Sequence, residues 1–153
     1  MSRRQRDLKR DATAIFLAGV AAVEPRRAVR AHLRRHGRWI EAGGQRLELP
    51  RGGRVWVVGA GKAAAPMAGA VETIFGPRVA GGLVVTKYGH GEPLRRVELR
   101  EAGHPVPDAA GEAGARELLR RVRALGPDDL LLVVSGWVHR RQLIVIAYPG
   151  RHS

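Results

Sequence analysis

Residues 55–68 read VWVVGAGKAAAPMA: a short apolar run, Gly-Ala-Gly, a lysine, then small residues that favour helix. No other stretch constrains the fold as much. An uninterrupted run of β-branched and aromatic residues this short is a strand buried on both faces. Glycines at 59 and 61 allow a turn tight enough to lead straight into a helix. A strand buried on both faces needs layers above and below it, so the surrounding chain should alternate strands with helices.

The rest of the chain supplies that alternation. Residues 62–75 have helical composition, and Gly76-Pro77 stops them. Leu83–Thr86 reads as a second strand and Val97–Arg100 as a weaker third. Gly103-His104-Pro105-Val106-Pro107 is excluded from helix, because each proline biases its predecessor toward extended backbone. Asp108 is placed to cap a helix running to about Leu125, with Leu118, Leu119 and Val122 turned inward. Leu130–Val134 is the most apolar strand, and Leu143–Ala147 is either a further strand or an exposed apolar segment. The fold class expected is α/β: a Rossmann-like, mostly parallel sheet with flanking helices, preceded by an N-terminal helical segment.

That segment has two helices. Residues 4–23 carry Leu8, Ala12, Ile15, Phe16, Gly19 and Val23 at three- and four-residue spacing, an amphipathic pattern. Ser2-Arg3-Arg4 faintly resembles a twin-arginine signal, but charged residues crowd the gap before the apolar stretch. Pro25 opens a second helix to about His36, and Trp39-Ile40 and Leu47–Leu49 flank a hairpin turn at Ala-Gly-Gly. We divide the chain into residues 1–40, N-terminal helices; 41–136, the main α/β unit; and 137–153, a tail.

Charge follows that division. Residues 1–40 carry eleven basic and three acidic side chains, residues 41–136 thirteen and eleven, and residues 137–153 three and none. The formal net charge of +13 therefore sits at the ends. No nucleic-acid motif accompanies it and no aromatics interleave it, so a solvated basic helix is expected and no specific nucleic-acid partner. Cysteine is absent, which excludes disulfides and thiolate metal sites and fits a cytoplasmic protein. No apolar stretch is long enough to span a bilayer. The six histidines show no metal-ligand spacing, and no metal site is expected.

In a parallel sheet, ligands bind beyond the carboxyl ends of the strands, where Gly59-Ala60-Gly61 lies. Backbone N–H groups at the glycines, the dipole of the following helix and the ammonium of Lys62 together suit a phosphate. The choice of lysine is informative, since the chain has three lysines and twenty-four arginines. The pattern is not a P-loop: Trp56 stands where the first glycine belongs and Ala63 where Ser or Thr belongs. Gly59-x-Gly61-x-x-Ala64 fits the loose dinucleotide pattern, yet Thr86-Lys87 replaces the acid that would hold a ribose. The turn alone is equally readable as a tight strand–helix connection with an exposed lysine. His104 reads either as a substrate contact or as a histidine bonded within its loop, and Asp108 as an N-cap and not a base.

Several stretches together resemble the glycerate 2-kinase family, the two-domain glycerate kinases with a MOFRL-type second domain. They are Ala14-Ile15-Phe16 with Ala22-Val23-Glu24-Pro25, then VVGAGKAAAPMA, GLVVTKYGH, EAGHPVPDAAG and DDLLLVVSG, in the family's order over about residues 10–136. The resemblance implies ATP-dependent phosphorylation of glycerate to 2-phosphoglycerate with Mg²⁺. It implies that Lys62 is the catalytic lysine, and that Gly59, Ala60, Gly61, Ser135 and Gly136 contact the nucleotide. After Gly136 the sequence leaves the family's pattern: Trp137-Val138-His139-Arg140-Arg141 stands where a glycine-rich SGGGSA loop continues in the family. A reading-frame change in glycine codons is the expectation this raises, giving a truncated N-terminal fragment inactive alone. Apolar surface bared by the missing second domain would favour oligomers. Two other functions stay open: an NAD(P)-dependent hydroxypyruvate reductase-type oxidoreductase, and a non-enzymatic basic binding module.

Overall fold

Val55, Val57 and Val58 are buried, and the strand they form lies in the middle of a sheet. The computed structural model describes residues 3–135 and 144–147. It has four helices, α1 (Arg3–Ala22), α2 (Pro25–His32), α3 (Ala64–Phe75) and α4 (Ala109–Arg123). Its strands are β1 (Leu33–His36), β2 (Trp39–Ala42), β3 (Gln45–Glu48), β4 (Val55–Ala60), β5 (Val79–Lys87), β6 (Glu98–Ala102), β7 (Leu130–Ser135) and β8 (Ile144–Ala147). The larger sheet has the order β6-β5-β4-β7-β8; its first four strands run parallel and β8 is antiparallel to β7. The α/β class and the mostly parallel sheet are therefore as expected, and Ile144–Ala147 of the last apolar run forms a strand.

Helices cover both faces of this sheet. Val57, Val84 and Val134 share one core with Met67, Val71 and Phe75 of α3. Neighbouring strand residues face opposite ways, so Val85 points to the other side. There it meets Gly114 of α4 so closely that a Cβ at that glycine would lie 2.8 Å from Val85 Cγ2. Val29, Leu33, Ile40 and Leu49 join the α3 core, so α2 and the small antiparallel sheet β1-β2-β3 pack as part of it.

Local chemistry explains the element ends. Glu24 caps α2, accepting from Arg26 N–H at 3.0 Å and Arg27 N–H at 2.7 Å, with Pro25 in the first turn. Asp108 caps α4 through Gly111 N–H at 2.9 Å, as its position predicts. Gly76 takes a φ of +53° and ends α3. Gly43 and Gly44, both at positive φ, turn the β2–β3 hairpin. Glu72 of α3 receives Arg95, Arg96 and Val97 N–H at 2.9, 2.7 and 2.8 Å, which fixes the approach to β6.

Three details differ from the sequence reading. The second helix stops at His32, because residues 33–36 pair with β2 instead. Leu119 does not face inward; it is 52% exposed, and α4 meets the sheet through Gly114 and Arg121. The apolar stripe of α1 forms on a helix as expected, but Ile15 and Phe16 remain 75% and 68% exposed. Among the described residues, no helix is long and apolar enough to cross a membrane.

Candidate functional site

The parallel register brings the ends of β4 and β5 to one level. Ala60 pairs with Val85 on one side and with Ser135 on the other. Just beyond these ends a cavity of about 390 Å³ opens, lined by residues 60–62, 85–87 and 102–104 and by Gly111. Ala60, Gly61, Lys62, Thr86, Lys87 and His104 are thus brought together. Ser135 sits beside Ala60 in the register, half-buried, and Gly136 lies outside the described residues.

The two glycines of the turn have different surroundings. Gly59 is buried in the sheet, where a Cβ would fall 2.0 Å from Val134 O. Its bareness admits β7, and it is not part of the cavity lining. Gly61 has a φ of +107°, a conformation that L side chains rarely adopt. Its N–H donates to Val85 O and its carbonyl accepts from Ala64 N–H, both at 3.0 Å. The Gly61 amide is therefore spent within the protein, and what the turn offers an anion begins at Lys62. Helix α3 follows at once; unlike α2 and α4 it has no side-chain cap, and its first turn holds no acid. Among the described residues, the positive end of its dipole thus meets neither a capping side chain nor a first-turn acid.

The opposite wall is built by two loops that clasp each other. Tyr88 N–H donates to Ala102 O at 3.2 Å, and the Tyr88 hydroxyl to Asp108 Oδ2 at 2.9 Å. Glu101 Oε1 receives Gly89 N–H at 3.1 Å and Gly91 N–H at 3.0 Å. Donation from Gly111 and Gly103 N–H and from the Tyr88 hydroxyl holds the Asp108 carboxyl below its ordinary value, and the same carboxylate raises Tyr88. Both carboxylates are engaged with the loops, and neither lines the cavity. The TKYGH and EAGHPVPD stretches, separate in sequence, are thus one structural unit. The parallel pairing of Thr86 with Glu101 and Lys87 with Ala102 makes them so.

The resulting cavity is cationic. It carries two of the chain's three lysines, an exposed histidine and no acid. Thr86 is 2% exposed and its hydroxyl has no hydrogen-bond partner among the described residues. Such a site suits an oxyanion. Sequence reasoning found Lys62; it noted Thr86 and Lys87 only as residues replacing an acid. His90 is exposed, and among the described residues no cluster of three His, Asp or Glu side chains could hold a metal.

Residues 11–136 match the family described as a domain of unknown function, DUF4147. The chain belongs to that family. Among the relatives of this DUF4147 chain, a glycerate 2-kinase of Pyrococcus horikoshii is 39% identical over 76% of the chain and 26% of its own length. A D-glycerate 2-kinase of Thermotoga maritima is 39% identical over 84% and 28%. A protein of Agrobacterium vitis that carries a hydroxypyruvate reductase name is 43% identical over 80% and 25%. The crystal structure of a P. horikoshii protein superposes with a TM-score of 0.71 at 36% identity, covering 89% of this chain and 29% of that one. That of the T. maritima glycerate kinase superposes with a TM-score of 0.65 at 37% identity, over 84% and 28%. The N-terminal part of a glycerate kinase fits the chain, which spans about a quarter of the length of these relatives.

Proposed function

We propose that the chain forms the phosphoryl-contacting wall of a glycerate 2-kinase. That enzyme moves the γ-phosphoryl group of ATP to the 2-hydroxyl of glycerate. The observation that carries this reading is Lys62 at the mouth of an acid-free cavity beyond the carboxyl end of β4, beside an uncapped helix. The names of the P. horikoshii and T. maritima relatives supply the reaction.

In this reading Lys62 lies against the transferring phosphoryl group. Charge spreads over the phosphoryl oxygens as the bond to ADP loosens, and a positioned ammonium stabilises it. Gly59, Ala60 and Gly61 frame the nucleotide side, Gly59 by letting β7 approach and Gly61 by turning the chain into α3. Ser135 continues that side at the end of β7, and Gly136 follows it in sequence. The cavity lining holds no carboxylate, and among the described residues no cluster fits a magnesium ion. Residues 41–136 would be the nucleotide-side unit, with 1–40 and 137–153 flanking it, in a cytoplasmic enzyme.

These 153 residues taken alone would not turn over substrate, because phosphoryl transfer needs a second wall to exclude water and hold the acceptor. Surface meant for that wall would favour self-association. Two measurements test the reading. In a full-length glycerate 2-kinase that carries this domain, Lys62→Met should cut kcat at least about 100-fold; unchanged glycerate phosphorylation would overturn it. The purified 153-residue chain should give no ADP from ATP and glycerate; sustained turnover would refute the inactivity.

The A. vitis names favour a second reading, reduction of hydroxypyruvate with a nicotinamide cofactor. Thr86-Lys87 at the end of β5 leaves no acid for the ribose hydroxyls, which weighs against it. Loss of NADH absorbance with hydroxypyruvate would support it over the kinase.

A further inference from the structure

The kinase reading uses Lys62 and leaves the facing wall without a task. Lys87 extends from the end of β5, two residues past the Ala60–Val85 pair, and lines the same cavity. Among the described residues, neither Lys62 nor Lys87 takes part in an ion pair. The nearby carboxylates are committed elsewhere: Glu101 to the Gly89 and Gly91 amides, Asp108 to Gly111 and Tyr88. Thr86, next to Lys87, keeps a buried hydroxyl with no partner among the described residues, which is costly unless a ligand or water satisfies it.

Two ammonium groups, one just past the end of β4 and one at the end of the adjacent β5, with the Thr86 hydroxyl lining the same cavity, ask for a ligand with two anionic groups. Glycerate brings a carboxylate next to the carbon whose hydroxyl is phosphorylated, and the product carries both charges on neighbouring carbons. We propose that Lys87, with the Thr86 hydroxyl, is the specificity determinant that holds the substrate carboxylate, while Lys62 faces the phosphoryl group. This rests on the kinase reading above and deepens it. Charge-assisted hydrogen bonds are the strong ones, and a site built around a carboxylate rejects an analogue lacking it because its own polar groups are then left unpaired. The enzyme would therefore discriminate 2-hydroxy acids from simple polyols through β5.

The test uses two ligands that differ only at that group: 2-phosphoglycerate and glycerol 2-phosphate, in which a hydroxymethyl replaces the carboxylate. Titrations of the 153-residue chain are followed by amide chemical shifts. The unmodified chain should bind 2-phosphoglycerate about tenfold more tightly than glycerol 2-phosphate. Lys87→Met should bring the two within about twofold by weakening 2-phosphoglycerate far more than glycerol 2-phosphate, and Lys87→Arg should keep most of the preference. Thr86→Val, close in shape, should narrow it without loss of the folded amide spectrum. Lys62→Met should weaken both ligands alike. The proposal is overturned if the unmodified chain shows no preference or binds neither ligand, or if Lys87→Met weakens both ligands equally. Should Lys62→Met leave both ligands unaffected while Lys87→Met removes the preference, the Lys62 role fails and the carboxylate assignment stands.

Discussion

Gly59 and Gly61 belong to one turn but answer to different constraints. Gly59 is bare because Val134 of the neighbouring strand occupies the space its side chain would need. Gly61 is bare because its backbone lies at positive φ. Gly59→Ala should therefore act on stability: a methyl 2.0 Å from a backbone oxygen forces β4 and β7 apart. Overpacking of this severity costs about 3 kcal/mol or more, which denaturant unfolding reads directly. A loss below about 1 kcal/mol would mean that the sheet yields easily at this point. Lys62 could be singled out from sequence because lysine is rare in this arginine-rich chain and stands at a glycine turn. Lys87 could not, because its relevance depends on the register that sets the β5 end beside the β4 end. Nor could the Tyr88–Asp108 hydrogen bond, which joins residues twenty positions apart across two loops.

Helix α4 shows the same limit at the scale of an element. Apolar spacing suggests that Leu118, Leu119 and Val122 dock it, yet Leu119 is exposed and α4 also reaches the sheet through polar contacts. Arg121 donates to Gly82 O at 2.7 Å, to Glu117 at 2.7 Å and to Glu98 of β6. Gly114 lets the helix approach Val85, a role invisible until the helix is placed. Apolar spacing overruns the end of α2 for a related reason: Leu33 continues that spacing, and only pairing with β2 turns residues 33–36 into strand. The Arg121 cluster predicts an acid response. Hydrogen bonds from Arg120 and Arg121 hold Glu117 at about 2, down from 4.5, and those from Arg100 and Arg121 also lower Glu98. A carboxylate with a depressed folded-state pKa stabilises the fold above its unfolded value and loses that contribution as pH falls through the folded one. Stability should thus decline as pH drops from about 4.5 toward 2. In Arg121→Met the decline should be shallower and stability at neutral pH lower. Parallel curves for the two proteins would show that the cluster carries no linked stability. Exposure of Glu117 and Glu98 to solvent screening keeps the effect small.

Across the whole molecule, burial is uneven in a way that the two phenylalanines measure. Phe75 ends α3 fully buried, in a core that reaches from Val29 on α2 to Val134 on β7. Phe16 lies on α1 with most of its ring in solvent, and Leu8, Ile15, Leu17 and Val20 are exposed on the same helix. A core ring removed leaves a cavity as well as lost transfer energy, whereas an exposed ring gives up little on truncation. Phe75→Ala should then cost about 4 kcal/mol and Phe16→Ala less than about 0.5 kcal/mol, both by denaturant unfolding. The contrast follows from where the layers end. Helix α2 is tied to the sheet through Val29 and Leu33, while the packing that unites α2, α3 and the strands does not extend to α1. A Phe16→Ala loss above about 1.5 kcal/mol would show that α1 folds down onto that core in solution. A Phe75→Ala loss of similar size to that of Phe16→Ala would show that the α3 core is not what holds β4, and with it Lys62, at the mouth of the cavity.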